Sequence, residues 1–316
     1  MDFRGTPIDL TKYRLDDRYN NYISEYVAKS PENLQSRNNH NRFFLKRNLY
    51  SDDLHIGEAL AFFIGKNLNF NMCDIEIYKS PLLKPGVYDL GIKSYVALAE
   101  DDIIVSPERI IKLYLESKGE KFDPSKSLDV DTIIQSMFFY VQKYNRPYQE
   151  FLDFKQEFIN MLVYDARFMI PDRNRDNWFF RLNKKSRILD LYPMFDNEAI
   201  LGFGCPPEKL SNKTLEELDE ENKMAIVTPF EIYKKEKYAN YKDVINYIKR
   251  LYPKETKKAL KMVSKISEKD LEEFFMRVEN VSEIRKTTTI DLLSKRKDFF
   301  DKTYEEKQGY IEFNGT

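Results

Sequence analysis

The sequence predicts an α+β fold in two unequal parts. Residues 1–100 carry strands and one helix, and residues 101–316 are mostly helical with one β-hairpin inside them. Three observations lead there. Alternating and β-branched runs gather before residue 100, helical spacing dominates after Asp101, and a mixed stretch at 166–205 interrupts the helices with two short apolar runs. A chain of 316 residues is long enough for about two domains or lobes, each burying its own core.

Taken in order, the first forty residues are polar and irregular and end in Ser36-Arg37-Asn38-Asn39-His40-Asn41. Arg42–Arg47 reads as a short strand. From Ser51, a plausible N-cap before Asp52 and Asp53, the residues Leu54, Ala59, Phe62, Phe63 and Leu68 share one helical side. Met72–Tyr78 alternates, and Gly86–Ala97 follows a turn at Lys84-Pro85-Gly86; both read as extended. Ser106-Pro107 opens a helix over 107–118, with Ser at the cap and Pro at the first helical position. Further helices are predicted at 130–143 and 148–165. Trp178–Leu182 and Ile188–Leu191 form the hairpin, and helices follow near 240–252, 255–265, 268–278 and 281–300.

Composition removes several classes of function. With 51 Lys+Arg against 52 Asp+Glu, the net charge of −1 argues against a broadly basic nucleic-acid binder or electrostatic membrane attachment. No apolar stretch approaches the ~20 residues that span a bilayer, and the first residues lack a signal-peptide pattern, so a soluble, cytoplasmic protein is expected. Cys73 and Cys205 are too few for a disulfide framework or a Cys-ligated zinc site, and a lone thiol such as Cys205 is usually inert. His40 and His55, expected on exposed ground, receive no role.

The chemistry-bearing stretch is Pro171–Phe180 followed by Leu191–Asn197. Its skeleton is Asp172-x-x-x-x-Asn177, then the hairpin, then Asp196 after an apolar pair. That order suits phosphoryl transfer: one Asp orients an accepting hydroxyl, while an Asn and a second Asp offer hard oxygens to Mg²⁺. The bare spacing also occurs at Asp16–Asn21, where it reads as accidental. The second occurrence stands out by its setting between a long amphipathic helix and a hairpin. Upstream, Lys46 on a strand and Glu58 in the next helix have the order of a phosphate-binding lysine held by an ion pair. Asp165 is expected as a cap or supporting contact. Arg173 and Arg175 could steady phosphates or an Asp, although an Arg beside an Asp is usually a surface pair of small worth, and Trp178 is expected as core. Lys295, Arg296 and Lys297 are expected on a solvated face.

These blocks resemble the HipA-like serine/threonine kinases, in particular their small CtkA-type branch. Asp172-Arg173-Asn174-Arg175-Asp176-Asn177-Trp178 is similar to the family's Asp-Arg-His-x-x-Asn hallmark, and Pro193–Glu198 to its later Asp-containing block. Phe44-Leu45-Lys46 and Gly57-Glu58-Ala59-Leu60-Ala61 match its strand Lys and helix Glu. Gly91–Ser94 with Leu98 resembles the strand before an interlobe hinge, and Val281–Ile284 the C-terminal helical end. The resemblance implies a two-lobed protein-kinase-like fold, nucleotide-binding N-lobe 1–100 and C-lobe 101–316, with ATP and Mg²⁺ between them. By it Asp172 is the catalytic base, Asn177 and Asp196 are metal ligands, and Lys46 the phosphate contact steadied by Glu58. The substrate is a protein hydroxyl, with autophosphorylation and a regulatory or antitoxin-like partner in scope, and no nucleic acid or membrane. The departures are Asn174 for the family His, Phe179 for a Gly, and Glu198 for the Gly after the second Asp. No glycine lies between Gly5 and Gly57, which leaves Ser36, Asn38 and Asn39 as the turn that would cradle phosphates. The alternatives are a kinase-like binding module without turnover, and the same fold acting on a lipid or small-molecule hydroxyl.

Overall fold

In a computed structural model the described residues are 6–7, 14–15, 28–29, 43–47, 53–81, 88–95, 98–99, 101–122, 130–171, 173, 177–214, 217–218 and 241–305. Strands β1 (Thr6–Pro7), β2 (Arg14–Leu15), β3 (Ala28–Lys29) and β4 (Phe43–Arg47) precede helix α1 (Leu54–Asn67). Then come β5 (Ile75–Pro81), β6 (Tyr88–Tyr95), β7 (Asp102–Val105), α2 (Pro107–Ser117), α3 (Val130–Lys143) and α4 (Tyr148–Phe168). Strands β8 (Phe180–Asn183) and β9 (Leu189–Leu191) lead into a 3₁₀ turn at Ile200–Gly202 and α5 (Pro207–Leu210). The chain closes with α6 (Tyr241–Leu251), α7 (Pro253–Val263), α8 (Glu268–Phe275) and α9 (Glu283–Glu305). The class is α+β, with small, largely antiparallel sheets.

Helix α1 is buried along its whole middle, from His55 to Gly65, because Gly57, Ala59, Ala61 and Gly65 let neighbours approach on every side. His55 is therefore core rather than exposed, contrary to the sequence expectation. The helix packs on a sheet of order β1-β5-β6-β4. Ile77 faces Ile92 across the β5–β6 pair, and Lys46 of β4 sits opposite the same Ile92 from the other side. Ile75 and Ile77 are buried while Glu76 between them is exposed, the period-two pattern of a one-faced strand. The expected cap Ser51 lies outside the described residues; Asp53 occupies the N-cap, its carbonyl accepting from Ile56 at 2.9 Å and Gly57 at 3.1 Å.

A second sheet has the order β7-β8-β9. Strand β7 was read as part of the helical region, since a four-residue Asp-Ile-Ile-Val run carries no period of its own; its pairing with β8, Ile103 opposite Leu182, makes it a strand. At the β8–β9 turn the Asn183 carboxamide oxygen accepts from the backbone N–H of Lys185 at 3.1 Å and Ser186 at 2.9 Å. Arg181 and Asp190 pair across the strands through two hydrogen bonds of 3.0 and 2.6 Å.

Helix α4 runs three residues further than expected, to Phe168, before the left-handed Met169, so Asp165 is inside the helix and not a cap. The aromatic ladder on α4 seats the functional loop. Phe158 lies 5.6 Å from Trp178, and Phe154 lies 5.5 Å from Phe180. Each such buried ring contributes about 1.5–3 kcal/mol of transfer free energy. Tyr164 ties α4 to α1 by donating to the Ala61 carbonyl at 2.7 Å. Arg296 of α9 is fully buried, donating to the Ala166 carbonyl at 2.7 Å with its guanidinium 5.4 Å from the Tyr241 ring centre; it does not belong to a solvated face. Among the described residues no helix is long and apolar enough to cross a membrane.

Candidate functional site

Where α1, the end of α4, the loop before β8 and the turn after β9 converge, one guanidinium organises the backbone. Arg173 is 2% exposed and makes five hydrogen bonds. Its Nε and Nη2 donate to the two Asp165 oxygens, each at 2.9 Å. Its Nη1 donates both to the Asn177 carbonyl at 2.9 Å and to the Phe195 carbonyl at 3.1 Å, which sets the two loop backbones side by side. Its Nη2 also reaches the Asn197 carboxamide oxygen at 2.5 Å. The rigid fork of arginine suits this task, since no other side chain presents five donors in one plane. Arg173 thus steadies an Asp, one of the two roles its sequence suggests, and is not the surface pair of small worth.

From the opposite side comes Glu58, 6% exposed on α1. Its carboxylate accepts from the Asn197 backbone N–H, and the Asn197 carboxamide N–H lies 3.4 Å from its other oxygen. A continuous buried chain therefore runs from Glu58 through Asn197 and Arg173 to Asp165. Burial alone would pull Arg173 down; Asp165's charge and hydrogen bonds, with smaller attractions from Glu58 and Asp196, outweigh it and hold the guanidinium above its ordinary value. Burial pushes the Asp165 carboxyl up, and Arg173 opposes part of that rise. Burial likewise drives the Tyr164 phenol well above its usual range, so it remains a hydrogen-bond donor.

Of the residues singled out in the sequence, Glu58, Asn177 and the Asp196 turn are brought to one place. Asn177 is 7% exposed and Asp196 half-buried. Asp196 has φ 56°, a left-handed conformation that Asp tolerates better than most residues. Asp172 lies outside the described residues, between Pro171 and the Arg173 hub. Ser36, Asn38, Asn39, Asn174 and Arg175 also lie outside them. Of Lys46 the strand register is described, opposite Ile92. Phe179 stacks on Phe195 at 5.6 Å with planes 4° apart, both rings half-buried beside the Asn177 and Asp196 backbones. Cys73 is buried, its sulfur 3.5 Å from the Pro193 carbonyl, and burial pushes its thiol up to about 12.

The residues around Met72 and Met194 join the first sheet to this turn: Cys73 N–H donates to the Met194 carbonyl at 2.9 Å and Met194 N–H to the Asn71 carbonyl at 2.8 Å. Among the described residues no three His, Cys, Asp or Glu side chains gather as a metal-ligand set. Asn177 and Asp196 place an amide and a carboxylate, both hard-oxygen side chains, on adjoining backbones among the described residues. That donor set fits Mg²⁺, which completes its shell with water and phosphate oxygens.

Of the network, the sequence names Arg173 as a residue that steadies an Asp, which its pair with Asp165 bears out, but nothing in its flanks marks it as buried. Asn197 stood in the quoted block without a role; its position directly after Asp196 was the available signal.

No protein-family model matches the chain, and no curated protein matches it. Solved structures do share its fold. A proinflammatory kinase from Helicobacter pylori, CtkA, superposes with a TM-score of 0.66 at 14% identity, over 94% of this chain and 97% of that one. A chain of the Shewanella oneidensis MR-1 toxin–antitoxin complex of HipA, HipB and operator DNA superposes with a TM-score of 0.51 at 10% identity; 82% of this chain is covered but 58% of that one. The resemblance to HipA-like kinases of CtkA type read from the motifs therefore holds at the level of the fold.

Proposed function

We propose that the protein is an ATP- and Mg²⁺-dependent serine/threonine protein kinase of HipA-like type. The observation that carries this reading is the Arg173 hub, one guanidinium bracing the backbones of Asn177 and of the turn holding Asp196, with Glu58 bonded to the next residue. In this reading residues 1–100 form the nucleotide-binding lobe and 101–316 the lobe with the catalytic loop. Asp172 accepts the proton of the attacking hydroxyl. Asn177 and Asp196 hold the metal through oxygen, and Lys46 meets the phosphates. When bound, Mg²⁺ supplies charge neutralisation on the triphosphate. Fixing both ligand-bearing backbones beforehand reduces reorganisation during transfer, which is how a preorganised site lowers a barrier. The Phe179–Phe195 stack offers an apolar ring surface suited to a purine base. Ser36, Asn38 and Asn39 are assigned the phosphate-side turn. A protein substrate, a regulatory or antitoxin-like partner, and a cytoplasmic location complete the reading.

The test is incubation of the full chain with γ-labelled ATP and Mg²⁺ beside Asp172→Ala and Asp196→Asn variants. Label on the wild type, lost in both variants and abolished by chelation, is the expected result. Label that persists in Asp172→Ala removes Asp172 from the mechanism.

A second reading, a kinase-like scaffold without turnover, is favoured by Glu198 and Asn174, which stand where the resembling family has a glycine and a histidine. Thermal melting with and without Mg·ATP helps to separate the two, because a ligand of the folded state raises the melting point. No shift over a wide ATP range, with no labelling, would favour the scaffold.

A further inference from the structure

Arg285, in the first turn of α9, is 3% exposed. A cation there lies at the helix end that favours anions, and Ser282 already caps it, accepting from the Arg285 N–H at 3.2 Å. The guanidinium is held by partners from two other elements. Its Nε donates to the Asp53 carboxylate at 2.7 Å, at the N-cap of α1. Its Nη1 and Nη2 donate to the carbonyls of Gly202 at 3.2 Å and Cys205 at 2.5 Å. Its plane lies 4.9 Å from the Phe203 ring centre.

The same segment is pressed onto α1. A Cβ added at Gly57 would come 1.9 Å from the Glu198 carbonyl oxygen and 2.9 Å from Phe203 Cβ, so only glycine lets the backbones meet. Residues 198–205, which begin two positions after Asp196, thus touch α1 through Glu198 and Phe203 and the start of α9 through Gly202 and Cys205. Helix α1 is held at two points about one and a half turns apart, by Asp53 to Arg285 and by Glu58 to Asn197.

We infer that Arg285 is a positioning residue. By clamping the N-cap of α1 to residues 202–205 it keeps Glu58 docked on Asn197, and so holds the Asp196 turn in place through the last helix of the chain itself. The site is assembled from within the fold, with no modification of residues 198–205 required to bring α1 in. The effect on turnover rests on the kinase reading; the clamp itself does not.

The test uses the full chain with Arg285→Met, Arg285→Lys and Asp53→Asn. Hydrogen exchange is followed at 54–60, at 198–205 and, as an internal reference, at 241–275, with kcat and KM for Mg·ATP in the labelling assay. In Arg285→Met, exchange at both 54–60 and 198–205 rises about tenfold or more while 241–275 is unchanged, as local release of one cooperative unit requires. In the same variant kcat falls about tenfold with KM within about threefold, the pattern of lost positioning rather than lost binding. Arg285→Lys restores part of both, and Asp53→Asn loosens 54–60 in the same direction. Exchange rising evenly across the molecule, or at 198–205 alone, overturns the clamp, and unchanged kcat with loosened α1 overturns the positioning role in turnover. If Arg285→Met does not fold, Arg285→Lys and Asp53→Asn decide by the same criteria. If the wild type transfers no phosphate, the kinase reading fails and the exchange pattern alone decides the clamp.

Discussion

Replacing Arg173 by Met keeps a long apolar stem and removes all five of its hydrogen bonds. What it leaves behind sets the magnitude. Asp165, 4% exposed, keeps a carboxylate whose guanidinium partner is gone, and breaking such a buried pair from one side costs about 3–5 kcal/mol. Two carbonyls and the Asn197 carboxamide also lose a donor, though a carbonyl left short of one bond is tolerated better than a charge. Since whole domains are stable by only about 5–15 kcal/mol, this one change removes a large share of the total. Asp165→Asn strands the opposite charge and is expected to be costly too. The double variant Asp165→Asn/Arg173→Met strands neither, so its loss should fall short of the sum of the singles by about 2 kcal/mol. Urea unfolding followed by far-ultraviolet circular dichroism measures all four proteins, provided the slope stays constant. An Arg173→Met loss below about 1 kcal/mol, the range of a solvated surface pair, or strict additivity of the two changes, would refute the buried-hub argument.

Two further predictions concern α1 and its neighbours. Gly57→Ala gains about 1 kcal/mol of helix propensity but drives a methyl into the Glu198 carbonyl, which is backbone and cannot swing away, so a net loss of about 2 kcal/mol is expected. Gly65→Ala meets only the Met72 side chain, at 2.5 Å from Cγ, and a flexible thioether can re-pack; equal losses for the two variants in urea unfolding would contradict this contrast. For Cys73, burial lifts the thiol from 9.0 to about 12, so between those values the unfolded chain releases a proton that the folded chain keeps. Stability therefore falls as pH rises through that window, by about 1.4 kcal/mol per unit once above the lower value. Below the window the group has no effect. The difference between wild type and Cys73→Ala, measured at pH values from neutrality upward, should carry this slope, and a flat difference would show Cys73 to be ionisable in place.

Much of the helical part was legible before any coordinates. Ser106-Pro107 placed the start of α2, and the apolar spacing of 130–143 matched α3 residue for residue, because an amphipathic helix writes its period into its own sequence. Boundaries governed by tertiary contact were read less well. Helix α4 extends past Asp165 because that residue is paired to Arg173 within the fold, and β7 exists because β8 lies beside it. His55 and Arg296 are expected at the surface and both are buried, Arg296 by bonding to the Ala166 carbonyl 130 positions away.

The chain's order of residues was enough to give its class and its helical periods and to single out Asp172, Asn177 and Asp196 as candidates for chemistry, since spacing and residue type are local properties. The tertiary structure alone decided what braces the backbones of Asn177 and of the Asp196 turn. Glu58 meets Asn197 across 139 positions and Arg285 meets Asp53 across 232, contacts that no local pattern encodes. Arg173 finds its charge partner Asp165 only eight positions away, but its burial requires α1 to bring Glu58 onto Asn197, which is a tertiary event.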